Sequence, residues 1–318
     1  MNDTLFDVLV VGGGPGGLQA ALTLGRARKR VLVADGGPRR NAVAGHLNNF
    51  VSRDGIAPAD FRREARAQLA KYPNVVLRDA GVEAITGSRG DFRAGDVRAR
   101  RVLLATGMID QPPAIEGLAP LWGHSVFQCP YCHGWDFRGR RWGYLAPEVS
   151  AAHIAMFVLQ LRGWSDEVTL FTNVMSDEVR QKLTAAKVQI ESADVKRLIA
   201  QRSGATYGAP RSGEALGEGQ QLEAVELAGG KRVAVDALFM HPPQVQVPLV
   251  RSLGLALDDE GFVKVDPMMR ETSVPGIYAA GDLTTRLQAA VIAAAAGMQA
   301  AAVINAELTG ELATTGAL

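Results

Sequence analysis

The chain has 318 residues, of which 47% are hydrophobic and 21% are charged, a balance typical of a globular protein large enough for two domains. Its 34 basic and 33 acidic residues give a net charge of +1, so charge gives no reason to expect nucleic acid or an anionic membrane as a partner. The first residues have an acidic lead before the apolar run, unlike a secretory signal. We therefore expect a cytoplasmic protein.

The first predicted unit is a strand, a glycine-rich turn, a helix and a second strand, with the regular elements at residues 6–11, 18–27 and 30–35. Between the first strand and the helix, Gly12, Gly14 and Gly17 satisfy the G-x-G-x-x-G pattern of a dinucleotide-binding turn. Gly12 permits the tight turn, Gly14 lets a pyrophosphate approach the backbone, and Gly17 lets helix and strand pack closely. Asp35, which ends the second strand, is placed to accept a hydrogen bond from a ribose hydroxyl.

The remaining predicted elements repeat this order further along the chain. They are a helix at 59–71, strands at 74–79 and 98–107, a crossover at 108–118, a strand at 140–145, a helix at 150–161, a strand at 167–172, a Gly/Ser-rich hairpin at 202–221, a strand at 233–243, a return segment at 261–282 and an Ala-rich core helix ending near 307. We predict an α/β fold of two Rossmann-like three-layer nucleotide-binding domains, the second inserted into the first. The predicted domains are 1–113 plus 244–318, and 114–243.

Two later segments favour FAD over a nicotinamide at the first turn. LLATG (103–107) ends a strand in small residues, which suits close passage beside a dinucleotide. GIYAAGD (276–282) ends a strand in Gly281 and Asp282, and Asp282 could bond a ribityl hydroxyl. We predict a helix starting near Thr285 to Gln288, whose positive end would face the flavin's pyrimidine edge. Taken alone, the aspartate could equally be a helix N-cap.

Both cysteines of the chain lie in CPYCHGW, residues 129–135. A structural zinc site normally needs four ligands, and no further cysteine exists to supply them. Two inert buried cysteines would explain the count but not the C-x-x-C spacing. A redox-active pair explains the count, the spacing and the flavoprotein context. The aromatic residues Trp122, Tyr131 and Trp135 flank the pair and suit either a substrate surface or ordinary core packing.

The ordered set GGGPGG, ATG, C-x-x-C and GIYAAGD resembles the low-molecular-weight thioredoxin reductases over nearly the whole chain. This resemblance implies non-covalently bound FAD and a homodimer. By position, the residues implied to form the FAD site are Gly12, Gly14, Pro15, Gly16, Gly17, Asp35, Gly36, Asn49, Ala105, Thr106, Gly107, Gly281, Asp282, Gln288 and Ala289. Asn48 falls beside Asn49 in the same polar stretch. The family usually has Glu where this chain has Asp35.

The same resemblance implies roles for the cysteines. Cys132 would face the flavin as the charge-transfer thiol, and Cys129 would exchange with substrate sulfur. Thioredoxin reductases place an aspartate directly after the second cysteine, whereas this chain has His133. A neutral imidazole is a suitable base for a dithiol at neutral pH, although an exposed loop histidine is the other interpretation.

The second domain lacks the features that bind NADPH. Its predicted turn, LAPEVSA (145–151), contains no glycine, Pro147 has no N–H donor, and Glu148 would place a carboxylate near a pyrophosphate. A shifted alignment would make Gly143 the turn residue. Relatives that use NADPH follow the next strand with a basic cluster, whereas LFTNVMSDE (170–178) has no basic residue.

These observations lead to a dithiol oxidase similar to the flavin enzymes that close gliotoxin- and holomycin-type disulfides. In it, electrons would pass from a thiol or dithiol substrate to FAD and then to O₂. One alternative is a thioredoxin reductase-like enzyme reduced by ferredoxin or another protein donor. A third, of another class, is a flavin-binding redox sensor.

Overall fold

The computed structural model describes residues 4–37, 39–146, 148–149, 152–202 and 220–314. Its strands are β1 (Leu5–Val11), β2 (Val31–Ala34), β3 (Val75–Arg78), β4 (Thr86–Ser88), β5 (Asp91–Ala94), β6 (Val97–Leu104), β7 (Ile109–Asp110), β8 (Val126–Phe127), β9 (Arg141–Leu145), β10 (Glu148–Val149), β11 (Glu167–Phe171), β12 (Val174–Met175), β13 (Gln189–Glu191), β14 (Val195–Arg202), β15 (Gln220–Leu227), β16 (Arg232–Ala234), β17 (Ala237–Met240), β18 (Gln244–Val245) and β19 (Ile277–Ala279). The α-helices are α1 (Pro15–Arg26), α2 (Pro58–Leu69), α3 (Pro130–His133), α4 (Ala152–Leu161), α5 (Asp177–Ala185), α6 (Pro248–Ser252) and α7 (Ala290–Thr314). Most of the predicted hairpin at 202–221 lies outside the described residues.

The chain divides into two compact units. Unit 1 comprises residues 1–40, 59–111 and 244–318, and unit 2 comprises residues 41–58 and 112–243. The sequence-based division assigned residues 41–58 to the first domain. In the structure this segment packs within unit 2, where the Asn48 side chain donates a 2.7 Å hydrogen bond to the Cys132 carbonyl.

Unit 1 is built on a sheet whose central strands run parallel in the order β3-β2-β1-β6, with β19 beside the last part of β6. The antiparallel strands β5 and β4 extend the sheet along the first part of β6. Val8 and Val10 of β1 pack into one hydrophobic core, while Leu9 and Val11 pack into another on the opposite face. Burial on both faces explains why the last four residues of β1, 8–11, are a continuous apolar run.

Helices α1 and α7 meet closely in unit 1. A Cβ atom on Gly297 would lie 2.1 Å from the Gly16 carbonyl oxygen, so only glycine permits this approach. By length and composition alone α7 could cross a membrane, yet its buried face contributes Ala300, Ala301 and Ile304 to the core that also contains α1. Its apolar character is therefore accounted for by packing, as expected of a core helix.

Unit 2 repeats the strand arrangement of unit 1. Its main sheet is parallel throughout, in the order β13-β11-β9-β17-β8. Helix α4 lies between β9 and β11 and α5 between β11 and β13, as α1 and α2 lie between β1, β2 and β3 in unit 1. A separate antiparallel sheet contains β14, β15 and β16. Trp142 of β9 is fully buried, and its indole N–H donates to the Phe137 carbonyl.

Candidate functional site

The glycine-rich turn of unit 1 is required by the protein's own packing at two positions. Gly12 has φ of 109°, and a Cβ atom there would lie 2.3 Å from the Ala105 carbonyl oxygen. A Cβ atom on Gly17 would lie 1.9 Å from the Gly12 carbonyl oxygen. At Gly14, by contrast, no described atom lies within 4 Å of the Cβ position. The turn is therefore closed toward the sheet and open at Gly14, as a dinucleotide pyrophosphate requires.

The start of α1 offers donors to an anion. Gly14 is the N-cap residue and provides no side-chain hydrogen bond, and Pro15 is the first helical residue. The first N–H groups of a helix have no intrahelical partner and carry a partial positive charge. Gly16 and Gly17 follow in this first turn and are buried, Gly16 against the Ala293 carbonyl and Gly17 against the Gly12 carbonyl.

Asp35 lies beside this turn, as predicted, but its carboxylate already has protein partners. The Gly13 N–H donates to its Oδ1 at 3.1 Å, and the Arg62 guanidinium donates to its Oδ2. Arg62 also donates to the Gly13 carbonyl at 2.8 Å. Burial acts to raise the pKa of Asp35, but Arg62, the Gly13 N–H and Arg39 together lower the pKa overall. Arg62, which the sequence analysis missed, thus holds Asp35 ionised against the turn.

Two further predicted stretches lie close to the turn. Ala105 follows β6, donates its N–H to the Val11 carbonyl at 2.8 Å and directs its own carbonyl toward Gly12. Thr106 and Gly107 continue the chain, with Gly107 at φ of 69°. A Cβ atom on Gly36 would lie 2.1 Å from the Gly81 nitrogen, so packing requires that glycine.

The last predicted FAD segment differs from expectation in its helix. Residues Asp282–Thr284 form a short 3₁₀ helix after Gly281, which has φ of 93°. Helix α7 begins only at Ala290, and the Ala289 carbonyl accepts its first hydrogen bond, from Ala293. The predicted start near Thr285 to Gln288 was therefore too early. Burial raises the pKa of Asp282, against the opposing effect of Arg40.

Asn49 is the one predicted FAD residue that belongs to unit 2. It is exposed, has φ of 59°, and donates its backbone N–H to Asp54 Oδ1 at 2.8 Å. Its neighbour Asn48 donates to the Cys132 carbonyl. The polar stretch 48–49 thus supports the cysteine loop, and its predicted contact with FAD stays a prediction.

Cys129 and Cys132 form a disulfide at the start of α3. Cys129 is the N-cap residue, and the Cys132 N–H lies 3.2 Å from the Cys129 sulfur. An N–H donor of this kind stabilises a thiolate at Cys129 once the bond is reduced. The pair is half-buried, and its disulfide is incompatible with metal binding by the same sulfurs.

His133 is packed rather than freely exposed. Its ring stacks on Phe127 with a 4.1 Å centroid separation and a 15° interplanar angle. Both ring nitrogens are buried, and neither has a hydrogen-bond partner in the described part of the chain. Burial, more than the nearby His46, lowers the pKa of His133 to about 4, so the ring is neutral at pH 7. The interpretation as an exposed loop histidine is wrong.

Asp136 is a second titratable group beside the disulfide that the sequence analysis missed. Its Oδ2 is 3.5 Å from the Asn48 amide nitrogen that also bonds Cys132. Burial raises the pKa of Asp136, while His46 and Arg138 act in the opposite direction. A single aspartate four residues after a cysteine carries no local sequence signal, which explains why it was overlooked.

The three aromatic residues near the disulfide have different environments. Trp122 packs against a hydrophobic core, whereas Tyr131 is 59% exposed and Trp135 is 69% exposed. The Arg138 guanidinium lies 4.1 Å from the centre of the Trp135 ring. Core packing therefore accounts for Trp122, whereas Tyr131, whose ring also meets Trp164 edge-on at 5.2 Å, and Trp135 are exposed next to the cysteines in the chain.

Further backbone pairing follows two strands of the main sheet in unit 2. Just beyond β9 and β11 the chain forms β10 and β12, which pair with each other in parallel. Gly143 lies inside β9, where a Cβ atom would be 2.8 Å from a Leu238 side-chain atom. It cannot be a turn residue, so the shifted alignment is excluded. Toward the carboxyl ends of β9 and β17, the Tyr144 hydroxyl and His241 Nδ1 are 2.9 Å apart.

These features define a class of protein: a two-domain α/β oxidoreductase with a dinucleotide turn in one unit and a C-x-x-C disulfide in the other. The family model for pyridine nucleotide-disulphide oxidoreductases matches residues 6–297. The chain therefore belongs to that family.

Several proteins and solved structures are similar to this chain over nearly its whole length. Thioredoxin reductase tcpT of Claviceps purpurea is 31% identical to this chain, and the match covers 98% of both proteins. Thioredoxin reductase sirT of Leptosphaeria maculans is 30% identical, over 96% of this chain and 95% of the relative. The crystal structure of an oxidoreductase from Agrobacterium tumefaciens matches with a TM-score of 0.83 and 32% identity, over 96% of this chain and 99% of that one. The expected thioredoxin reductase-like family, the two-domain fold and the FAD cofactor are confirmed.

Proposed function

We propose that this chain is an FAD-dependent thiol/disulfide oxidoreductase that works without NADPH, as a dithiol oxidase. Dinucleotides bind outside the carboxyl ends of the strands in such sheets. In unit 2 the segments that follow β9 and β11 pair with each other as β10 and β12, whereas in unit 1 the glycine turn follows β1. This pairing is the observation that carries the proposal, and the absence of basic residues in 172–178 supports it.

The cysteine geometry supports a thiol-exchange reaction in two steps. A substrate thiolate attacks Cys129 Sγ, the S–S bond breaks, and Cys132 leaves as a thiolate. The second substrate thiolate attacks the substrate sulfur of the mixed disulfide, which closes the substrate disulfide and releases Cys129 as a thiolate. The Cys132 N–H that points at the Cys129 sulfur stabilises this leaving group.

His133 is the proposed acceptor of a substrate proton. It is neutral at pH 7, and its buried nitrogens are unpartnered within the described residues, so a lone pair is available. Its lowered pKa makes a lasting positive charge unfavourable in the oxidised state. The appearance of a cysteine thiolate nearby favours the protonated ring, because an opposite charge raises a histidine pKa. His133 therefore gains basicity when the disulfide opens, and the proton that it accepts is that of the second substrate thiol.

The residues around Gly14 in unit 1 fit FAD, as the open face of the turn indicates. When bound, FAD supplies the two-electron acceptor for the reduced cysteines and the route to O₂, so that a dithiol and O₂ yield a disulfide and H₂O₂. The exposed rings of Tyr131 and Trp135 would contact a planar thiol substrate or a protein carrying one.

A second function is favoured by the relatives, which are named thioredoxin reductases. In this alternative a protein donor such as ferredoxin reduces the flavin, and the cysteine pair reduces thioredoxin. The direction of electron flow then reverses, while the roles of Cys129 and Cys132 in exchange remain.

The decisive experiment mixes the oxidised holoprotein anaerobically with NADPH, NADH or dithiothreitol and follows the flavin's visible absorbance. We expect bleaching by the dithiol alone, and O₂ consumption with peroxide formation when air is admitted. Rapid bleaching of the flavin by NADPH would contradict the proposal that the enzyme works without NADPH. Failure across a panel of dithiols, combined with thioredoxin reduction by photoreduced ferredoxin, would favour the alternative.

A further inference from the structure

Five polar side chains form a connected cluster in unit 1, which we call the Arg40 cluster: Arg40, Asp110, Gln244, Asp282 and Gln288. Arg40 forms a two-point contact with Asp110, at 2.7 Å from Nε and 2.9 Å from the second terminal nitrogen. Its other terminal nitrogen donates to Asp282 Oδ2 at 2.9 Å and to Gln288 Oε1 at 2.5 Å. One guanidinium thus joins two carboxylates and an amide.

The cluster members come from widely separated parts of the chain. Arg40 is the last residue of the first segment of unit 1. Asp110 and Gln244 are register partners on β7 and β18. Asp282 and Gln288 lie on either side of the turn that precedes α7. The Arg40 side chain therefore joins the segment of Asp282 and Gln288 to β7.

The Gln288 amide is held at both ends. Its oxygen accepts from Arg40 and, at 3.0 Å, from Gln244. Its nitrogen donates to Gln244 Oε1 at 2.8 Å and to the Asp282 carbonyl at 3.3 Å. Without the arginine, the amide oxygen loses its charged donor, and among the described residues the amide is held only by Gln244 and the Asp282 carbonyl.

The charges in the cluster depend on Arg40. The side chains of Arg40, Asp110 and Asp282 are 22%, 11% and 25% exposed, so solvent screens them only in part. Burial and the nearby Asp110 both act to raise the pKa of Asp282, and Arg40 opposes them. Removing the cation would leave two carboxylates facing each other and favour protonation of Asp282.

We propose that Arg40 is a positioning residue of the FAD site. It orients Asp282 and Gln288 and adds positive charge at this end of the site. The proposal rests on the proposed assignment of Asp282 and Gln288 to FAD. A positive charge here favours the two-electron reduced, anionic flavin over the neutral oxidised form. Arg40 thus affects both how tightly FAD is held and how readily it accepts electrons.

The test compares Arg40→Met and Arg40→Lys with Arg63→Met, which removes an exposed arginine elsewhere in unit 1. The readouts are the FAD dissociation constant, from reconstitution of apoprotein, and the flavin midpoint potential, from equilibration with a reference dye. We expect Arg40→Met to weaken FAD binding about tenfold, because Asp282 and Gln288, no longer positioned by Arg40, would lose the equivalent of roughly one charge-assisted hydrogen bond to FAD. We also expect Arg40→Met to shift the ratio of the affinities for oxidised and reduced flavin tenfold toward the oxidised form, which would lower the two-electron potential by about 30 mV.

Arg40→Lys separates the effect on FAD affinity from the effect on the flavin potential, because lysine keeps the positive charge and lacks the forked geometry of the guanidinium. It should bind FAD more weakly than wild type while leaving the potential close to the wild-type value. It also keeps the proposal testable if Arg40→Met fails to fold. Wild-type affinity and potential in the Arg40→Lys and Arg40→Met proteins, matching Arg63→Met, would overturn the proposal.

Asp282→Asn distinguishes a wrong role for Arg40 from a wrong assignment of Asp282 to the FAD site. If Asp282→Asn loses FAD while both Arg40 variants behave as wild type, Arg40 has no positioning role although the FAD site is assigned correctly. If Asp282→Asn also retains FAD at wild-type affinity and potential, the assignment of Asp282 fails, and the role of Arg40 fails with it.

Discussion

The two units share a strand order and differ at the carboxyl edge of the sheet. In unit 1, β1 leads into a glycine turn whose face at Gly14 is open. In unit 2, β9 leads into β10, which pairs with β12 across the equivalent edge. The same arrangement of parallel strands is therefore followed by an open glycine turn in one unit and by a paired strand in the other.

The turn, and not the sheet, is therefore the feature that distinguishes the two units. Unit 2 keeps the buried core that supports its sheet, including Trp142 and Phe239. Its chemistry lies instead in the disulfide at α3. One unit is therefore assigned to the cofactor and the other to sulfur exchange, and the predictions below test that division.

The largest expected effect comes from removing one sulfur of unit 2. Cys132→Ser should abolish dithiol-dependent O₂ uptake, because no disulfide can form, while FAD content stays at the wild-type level. Cys129→Ser is the matched variant and should be equally inactive. An oxygen electrode and the flavin-to-protein ratio measure both quantities. Substantial turnover by either variant would show that electrons reach the flavin without the cysteine pair.

The next effect comes from closing the open turn of unit 1. Gly14→Val should weaken FAD binding at least about a hundredfold, or roughly 3 kcal/mol, because its side chain would occupy space that the pyrophosphate needs. The apoprotein should keep its melting temperature, since no described atom lies within 4 Å of the new Cβ. Gly310→Val on α7 is the control, as it also meets open space. Equal FAD affinity in both variants would place the phosphates elsewhere.

The smallest expected effect concerns acid stability in unit 2. The pKa of His133 is about 4 in the folded protein and about 6.5 in an unfolded chain. The unfolded state therefore binds more protons between these values, so stability is lost as the pH falls from about 6.5 to 4. His133→Gln should remove up to about 3 kcal/mol of that pH dependence.

Urea unfolding at pH 7 and pH 4.5 measures this dependence for the wild-type and His133→Gln proteins. The exposed His124 provides the control substitution, His124→Gln, which should leave the wild-type slope intact. Identical pH dependence in all three proteins would mean that the imidazole of His133 is solvated in solution.

Local patterns in the sequence predicted the parts of the fold and site that depend on local rules. The turn at Gly12 to Gly17 follows a strand and opens a helix, and each step has its own residue requirement. The repeated strand–helix order likewise predicted two related domains. The missing glycines of the second turn pointed to the edge where the structure has β10.

Contacts between distant segments could not be predicted in the same way. Arg62 holds Asp35, and Arg40 joins Asp110 to Asp282, through long side chains that follow no periodic pattern. The packing of residues 41–58 in unit 2 includes the bond from the Asn48 amide to the Cys132 carbonyl and the close approach of Val43 to Gly123. The late start of α7 reflects the 3₁₀ helix at Asp282–Thr284, which propensity does not distinguish from an α-helical turn.

The close approach of Gly16 and Gly297 has a consequence for biosynthesis. The first turn of α1 is made early on the ribosome, but the helix that packs against it is made last, after all of unit 2 has emerged. Because domains generally fold as units during synthesis, we expect unit 2 to fold while the nucleotide turn still lacks its neighbour. Capture of FAD would then be a post-translational event, and nascent chains halted before residue 290 would be colourless.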